Sequence, residues 1–145
     1  MIRTALLPAL LLSLTAGCGD DTRGDAETKA EPLTKAEFTT KANKICADGS
    51  AELQAAAEKL DKIRTKKEAL SLVSGSVVPI IQAQHDDLAK LRPPEGDEAK
   101  VEDLLASLQQ AIDSVKDNPK SLFTGEPFAE ANDLATSYGL EKCAE

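Results

Sequence analysis

The sequence predicts an all-α protein, an up-down-up-down four-helix bundle whose first helix is bridged to the C-terminus by a disulfide. Three observations predict it. Apolar residues recur at steps of three and four along four successive stretches. Helix-start and helix-stop residues fall at the edges of those stretches. Leu and Ala dominate the apolar content, while Phe38, Phe123, Phe128 and Tyr138 are the whole aromatic complement and tryptophan is absent, a composition suited to packed helices rather than a sheet.

The first helix opens at Thr34-Lys35-Ala36-Glu37, a capping box in which the Thr34 hydroxyl accepts the Glu37 N–H and the Glu37 carboxylate reaches back. Leu33 and Phe38 flank it as a hydrophobic staple. The same four residue types occur at Thr28-Lys29-Ala30-Glu31, but Pro32 follows at once and argues against a helix start there. From Phe38 the stripe runs through Ala42, Ile45, Gly49, Leu53, Ala56, Leu60 and Ile63, one face of a helix of about 29 residues.

Thr65-Lys66-Lys67-Glu68 is a second capping box, and Leu70, Val73, Val77, Ile81, Leu88 and Leu91 form the second stripe. Pro79 is expected to kink this helix, because its ring displaces the carbonyl four residues back, and Pro93-Pro94 stops it. Asp97 is the expected N-cap of the third stripe, Val101, Leu104, Leu105, Leu108, Ile112 and Val115, which ends at Asn118-Pro119. Residues 120–126 read as a less regular connection in which Leu122 and Phe123 plug the end of the core. Pro127 suits the first turn of a shorter fourth helix carrying Phe128, Ala131, Leu134, Ala135 and Tyr138. Gly139 reads as a left-handed C-cap, with Leu140 folding back onto Leu134 or Ala135. Helices joined by such short turns alternate in direction.

The N-terminus carries an address. Arg3 supplies a positive start, Ala5 to Leu14 an apolar run, and Thr15-Ala16-Gly17 small residues directly before Cys18. That order is a secretory signal, and the run is about half the roughly 20 residues a spanning helix requires. Leu14-Thr15-Ala16-Gly17-Cys18 resembles the lipobox of bacterial lipoproteins, with Thr15 where that family usually carries an aliphatic residue. The resemblance implies cleavage before Cys18, lipidation of its thiol, and two or three acyl chains, the number that holds a protein stably to a bilayer. The expected organisation is therefore a signal peptide at 1–17, a disordered tether at 18–33 and a four-helix domain at 34–145. Gly19 to Pro32 is polar and lacks apolar periodicity, and fully extended it reaches on the order of 45 Å.

The chain has 17 basic and 25 acidic residues, a formal charge of −8, and loss of Arg3 with the leader takes it to −9. Taking 17 residues from 145 leaves 128, enough for one domain with a real core. So acidic a chain is not drawn to nucleic acid or to anionic headgroups by its overall field, which leaves membrane binding to the lipid on Cys18.

Cys46 and Cys143 remain after lipidation, in a compartment outside the cytoplasm where an even pair is expected to be bridged. The bundle speaks to the same pairing. A fourth helix antiparallel to the first returns its C-terminus towards the first helix's N-terminal half, where Cys46 lies about three turns in. The competing reading is a metal or redox pair, but there is no CxxC, no histidine lies near either cysteine in sequence, and two thiolates make a poor zinc site.

Chemistry is otherwise sparse. The lone histidine, His85, follows Gln84 and precedes Asp86-Asp87. A ligand or general-base role competes there with that of a half-exposed polar helix residue. Residue 82 is Gln, so the Glu-x-x-His pairs of a di-iron bundle are missing. No phosphate loop or calcium loop is present, and no catalytic residues, metal site or cofactor are expected. Gly49 beside Cys46 reads as close helix packing or a local weak point.

The pattern Phe38…Ala42-Asn43…Ile45-Cys46, Leu91-Arg92-Pro93-Pro94, Tyr138-Gly139-Leu140…Cys143 resembles small helical bacterial lipoproteins of uncharacterised activity. That resemblance implies a helical domain with its first and last helices bridged, and brings no activity with it. The expected function is a non-enzymatic envelope module, lipid-anchored on the extracytoplasmic face of a cell membrane or outer membrane, contacting another protein or the cell wall. The alternative is a carrier of a small ligand or metal, with Gln84, His85 and Tyr138 converging beside Pro79.

Overall fold

In the computed structural model, which describes residues 31–145, Thr34 starts the first helix with both halves of the expected capping box. The signal peptide, Cys18 and all but the last residues of the tether lie outside the described residues. The Glu37 N–H donates to the Thr34 hydroxyl at 3.3 Å, and the Thr34 N–H donates to the Glu37 carboxylate at 2.9 Å. Helix α1 spans Lys35–Leu60, 26 residues, and buries Phe38, Ala42, Cys46, Gly49 and Ala56 along one stripe. It stops before Ile63 because the backbone turns at Leu60–Ile63, leaving Thr65 extended to cap the next helix.

Thr65 and Glu68 form the second capping box, opening α2 (Lys66–Leu72). The expected kink at Pro79 takes a different form. A π-helical turn at Val73–Val77 joins α2 to α3 (Val78–Ala89), and the Val78 N–H donates to the Val73 carbonyl five residues back. In a regular helix the Pro79 ring would meet the Gly75 carbonyl. Widening the turn by one residue moves that carbonyl aside, and every junction residue stays right-handed helical.

Leu91 closes the last turn onto Leu88, and Pro93-Pro94 leads into a turn in which Gly96, at φ +84°, adopts the left-handed conformation. Helix α4 (Glu98–Asp117) follows and buries Val101, Leu104, Ala111, Ile112 and Val115. Asp97 occupies its N-cap position but makes no side-chain capping bond, which corrects the sequence expectation. Residues 120–126 are more regular than expected, with a one-turn helix α5 at Ser121–Thr124. Leu122 packs on the core, whereas Phe123 is 48% exposed and plugs nothing.

Helix α6 (Ala129–Tyr138) begins two residues after Pro127, so that proline leads into the helix rather than sitting in its first turn. Gly139, at φ +95°, ends it as expected. The Leu140 N–H donates to Ala135 and the Gly139 N–H to Thr136, the two bonds of a Schellman motif, and the Leu140 side chain is fully buried against Ala135. A 3₁₀ turn at Glu141–Cys143 then brings Cys143 to Cys46, where the disulfide forms with a Cα–Cα distance of 4.9 Å.

The core divides into two clusters. One gathers Phe38, Ala42, Cys46, Leu88, Val101, Leu104, Ala135, Tyr138 and Leu140, near the start of α1. The other gathers Val73, Val78, Ile81, Ile112 and Val115, with Leu53 and Leu122 against it. Leu108 packs on both. Among the described residues there is no strand, and no helix is long and apolar enough to cross a membrane.

Candidate functional site

Where α3 passes from the second cluster at Ile81 to the first at Leu88, its inward positions turn polar at Gln84 and His85. The Gln84 carboxamide points at α1, donating to the Cys46 carbonyl at 3.4 Å, and it lies over Gly49, where a Cβ would overlap it. Gly49 is therefore a close-packing residue, resolving the choice left open by the sequence. Gln84 lines a shallow depression of about 110 Å³ with Ile45, Asp48, Ile80 and Asp87. That is well below the roughly 300 Å³ at which small-molecule pockets begin.

The His85 side chain is 16% exposed, and its Nδ1 lies 3.1 Å from the Asp86 carboxylate. The hydrogen bond to His85, followed by one from Gln82, holds the Asp86 carboxyl below its ordinary range. Gln82 also bonds Gln109 of α4 and accepts from Lys116, so these polar groups are spent on one another across the α3–α4 contact.

Tyr138 belongs elsewhere. Its hydroxyl donates to Asp97 at 3.0 Å, and its ring meets Phe38 edge to face at 5.7 Å. The Lys35 ammonium sits 4.4 Å from the ring centroid. Asp97, with a side chain only 13% exposed, also accepts from Lys100 at 2.6 Å and pairs with Lys35 at 3.4 Å. Those contacts explain why Asp97 leaves its backbone cap unmade. The Lys100 hydrogen bond leads the influences that hold the Asp97 carboxyl below the usual range, with Tyr138 and Lys35 adding to it against the opposing effect of burial. Burial and the facing carboxylate push the Tyr138 phenol up to about 12. At neutral pH it is a committed hydrogen-bond donor tying the end of α6 to the starts of α1 and α4.

The expected convergence of Gln84, His85 and Tyr138 beside Pro79 is therefore not formed. Gln84 faces α1, His85 faces Asp86, and Tyr138 faces Asp97. Cys46 and Cys143 are joined as expected, and Cys18 lies outside the described residues. The sequence carries no local signal for the Asp97–Tyr138 pair, whose members lie 41 positions apart.

Among the described residues no group of three or more His, Cys, Asp or Glu side chains is placed to hold a metal ion. No protein-family model, curated protein or solved structure matches this chain.

Proposed function

We propose that this chain is a lipid-anchored envelope protein, cleaved before Cys18 and held to the outer side of a bacterial membrane, where it acts as a non-enzymatic scaffold. The observation that carries the reading is the N-terminal order: a positive start, a short apolar run, small residues, Cys18, then an abruptly polar segment. The Cys46–Cys143 disulfide supports export, since such bonds persist in oxidising compartments. The scaffold role draws support from polar side chains that are committed to holding helices together, as Gln84 is to α1 and Tyr138 to Asp97. Its partner is another envelope protein or the cell wall. A carrier role gains nothing from this arrangement, because Gln84 and Tyr138 face different neighbours.

The finer topology belongs to the same proposal. Short connections, with α3 packed on α1 and α4 and with α6 packed on α4, support an up-down-up-down bundle of α1, the α2–α3 segment, α4 and α6.

The test is mass spectrometry of the full chain expressed in a lipoprotein-processing bacterium, with Cys18→Ser alongside. The expected mature N-terminus is acylated Cys18, and Cys18→Ser is expected to lose both that acylation and the membrane attachment that withstands a high-salt wash. An unmodified Cys18 on a membrane-bound protein would overturn the anchoring.

A further inference from the structure

The end of the bundle farthest from Thr34 differs from the rest of this acidic molecule. Residues 59–67, spanning the turn from α1 into α2, carry Lys59, Lys62, Arg64, Lys66 and Lys67 against a single anion, Asp61. Lys120 joins them in space, since Lys66, Ala69 and Leu70 of α2 and Lys120, Phe123 and Thr124 around α5 line one groove of about 240 Å³. Phe123 is the exposed large hydrophobic side chain of the described residues.

The ion pairs sharpen the contrast. Away from this end Lys35, Lys44, Lys90, Lys100, Lys116 and Lys142 are each bonded to a carboxylate, with Lys41 and Arg92 the exceptions, but among the described residues none of the six cations at this end is. Glu68, the nearest downstream anion, is occupied with Thr65 in the capping box. Unpaired cations bordering an exposed phenylalanine are complementary to a surface that is anionic outside and apolar just beneath. The flank along Lys66, Leu70, Ser74 and Gly75 is open and shallow, which fits a plane better than an inserted peptide.

We infer that this end, with Lys66, Lys67 and Lys120 around Leu70 and Phe123, docks on a bilayer rich in anionic lipid. The lysines sit over headgroup phosphates and Phe123 enters the boundary with the acyl chains. The overall charge, −8 for the full sequence and −9 without the leader, does not oppose this strongly, because fields beyond about 10 Å are screened at 0.1 M salt, while the local cations are in contact. The geometry permits docking on the membrane of the proposed anchor. Helix α1 is about 39 Å long, from 26 residues at 1.5 Å each. The thirteen steps from Cys18 to Glu31 extend to about 43 Å.

The experiment uses the full chain with Cys18→Ser, so that failure of docking is separable from failure of lipid anchoring. Sedimentation with phosphatidylglycerol-containing vesicles is compared with phosphatidylcholine vesicles, for this chain and for a variant also carrying Lys66→Glu, Lys67→Glu and Lys120→Glu. A second variant carries Phe123→Ser. All four positions are exposed, and circular dichroism checks that the helices persist.

Each surface lysine contributes roughly fivefold to partitioning, so loss of three is worth on the order of a hundredfold and their reversal to glutamate is expected to lower it by at least that much. Phe123→Ser is expected to lower it severalfold, and raised salt to release the parent. Equal binding to both vesicle types, retention by the triple variant, or no binding by the parent would each overturn the proposal. So would capture of a polyglutamate peptide in place of vesicles.

Discussion

Reducing the Cys46–Cys143 bridge tests how this domain is held together. The bond closes a loop across 97 positions. The chain-entropy relation, with 2.1 cal/mol/K plus 1.5R ln n, makes that about 4.7 kcal/mol at room temperature, an upper value because the reduced unfolded chain keeps some compactness. Domains of this size are stable by roughly 5–15 kcal/mol, so the bridge is a large fraction of the total. With a urea slope of about 1.5 kcal/mol/M, reduction should lower the midpoint by about 3 M, and the melting temperature by roughly 15–20 °C. The mechanism makes a second demand. If the bond acts on the unfolded state, the native C-terminal turn should stay docked without it, because Leu140 is fully buried and the Lys142 N–H donates to Asn43 at 3.0 Å. The assay is urea unfolding with and without reductant, with Cys46→Ala/Cys143→Ala as the reductant-insensitive control and amide chemical shifts reporting the turn. A midpoint shift below about 1 M would refute the loop-closure reasoning. Loss of native signals around Asn43 and Leu140 on reduction would show that the bond holds the native turn in place.

Tyr138 is the sole tyrosine and tryptophan is absent, so tyrosinate absorbance reads its ionisation directly. The midpoint is expected at about 12 in the folded chain and near 10 in urea. Because the folded value is the higher one, stability is undiminished below pH 10 and falls by about 2–3 kcal/mol as pH rises to 12. Tyr138→Phe should flatten that part of the decline, and a folded midpoint near 10 would contradict the Asp97 contact. At Gly49, an alanine gains about 1 kcal/mol of helix propensity but displaces the Gln84 carboxamide. Gly49→Ala alone should thus be close to neutral in urea unfolding, while Gly49→Ala added to Gln84→Ala should stabilise by about 1 kcal/mol; an equal effect in both backgrounds would remove Gln84 from the account.

What was legible in the sequence was what short-range chemistry decides. Thr34 with Glu37 and Thr65 with Glu68 need only their own spacing to cap a helix, and Gly139 before Leu140 needs only a left-handed residue and a core to fold onto. Pro79 announced a disturbance but not its form, since a kink and a π-helical turn relieve the same clash with the Gly75 carbonyl. Asp97 was placed at the right helix end with the wrong partner. Its side chain chooses between a backbone N–H one turn away and groups from distant segments, and Tyr138 stands 41 positions off. The separate neighbours of Gln84, His85 and Tyr138 were illegible for the same reason. Gln84 and His85 are consecutive, so they point about 100° apart on their helix, and only packing decides which helix each one meets.

These contacts divide the bundle along its length. Near the start of α1, the disulfide, the Schellman turn, the Phe38–Tyr138 stack and the Asp97 cluster all join α6 to the rest of the domain. Lys35 and Lys100 there are spent on Asp97. At the other end the helices meet through the smaller cluster of Val73, Val78, Ile81, Ile112 and Val115, and the lysines and Phe123 are left over. Selection for stability alone would favour pairing those cations or replacing Phe123 with a polar residue, since neither packs the core. A strongly fixed end also leaves the far end free to bear surface features that contribute nothing to folding. Charge reversal at Lys66, Lys67 and Lys120 should accordingly cost little stability, whereas a comparable change among Lys35, Asp97 and Lys100 would break contacts between three helices.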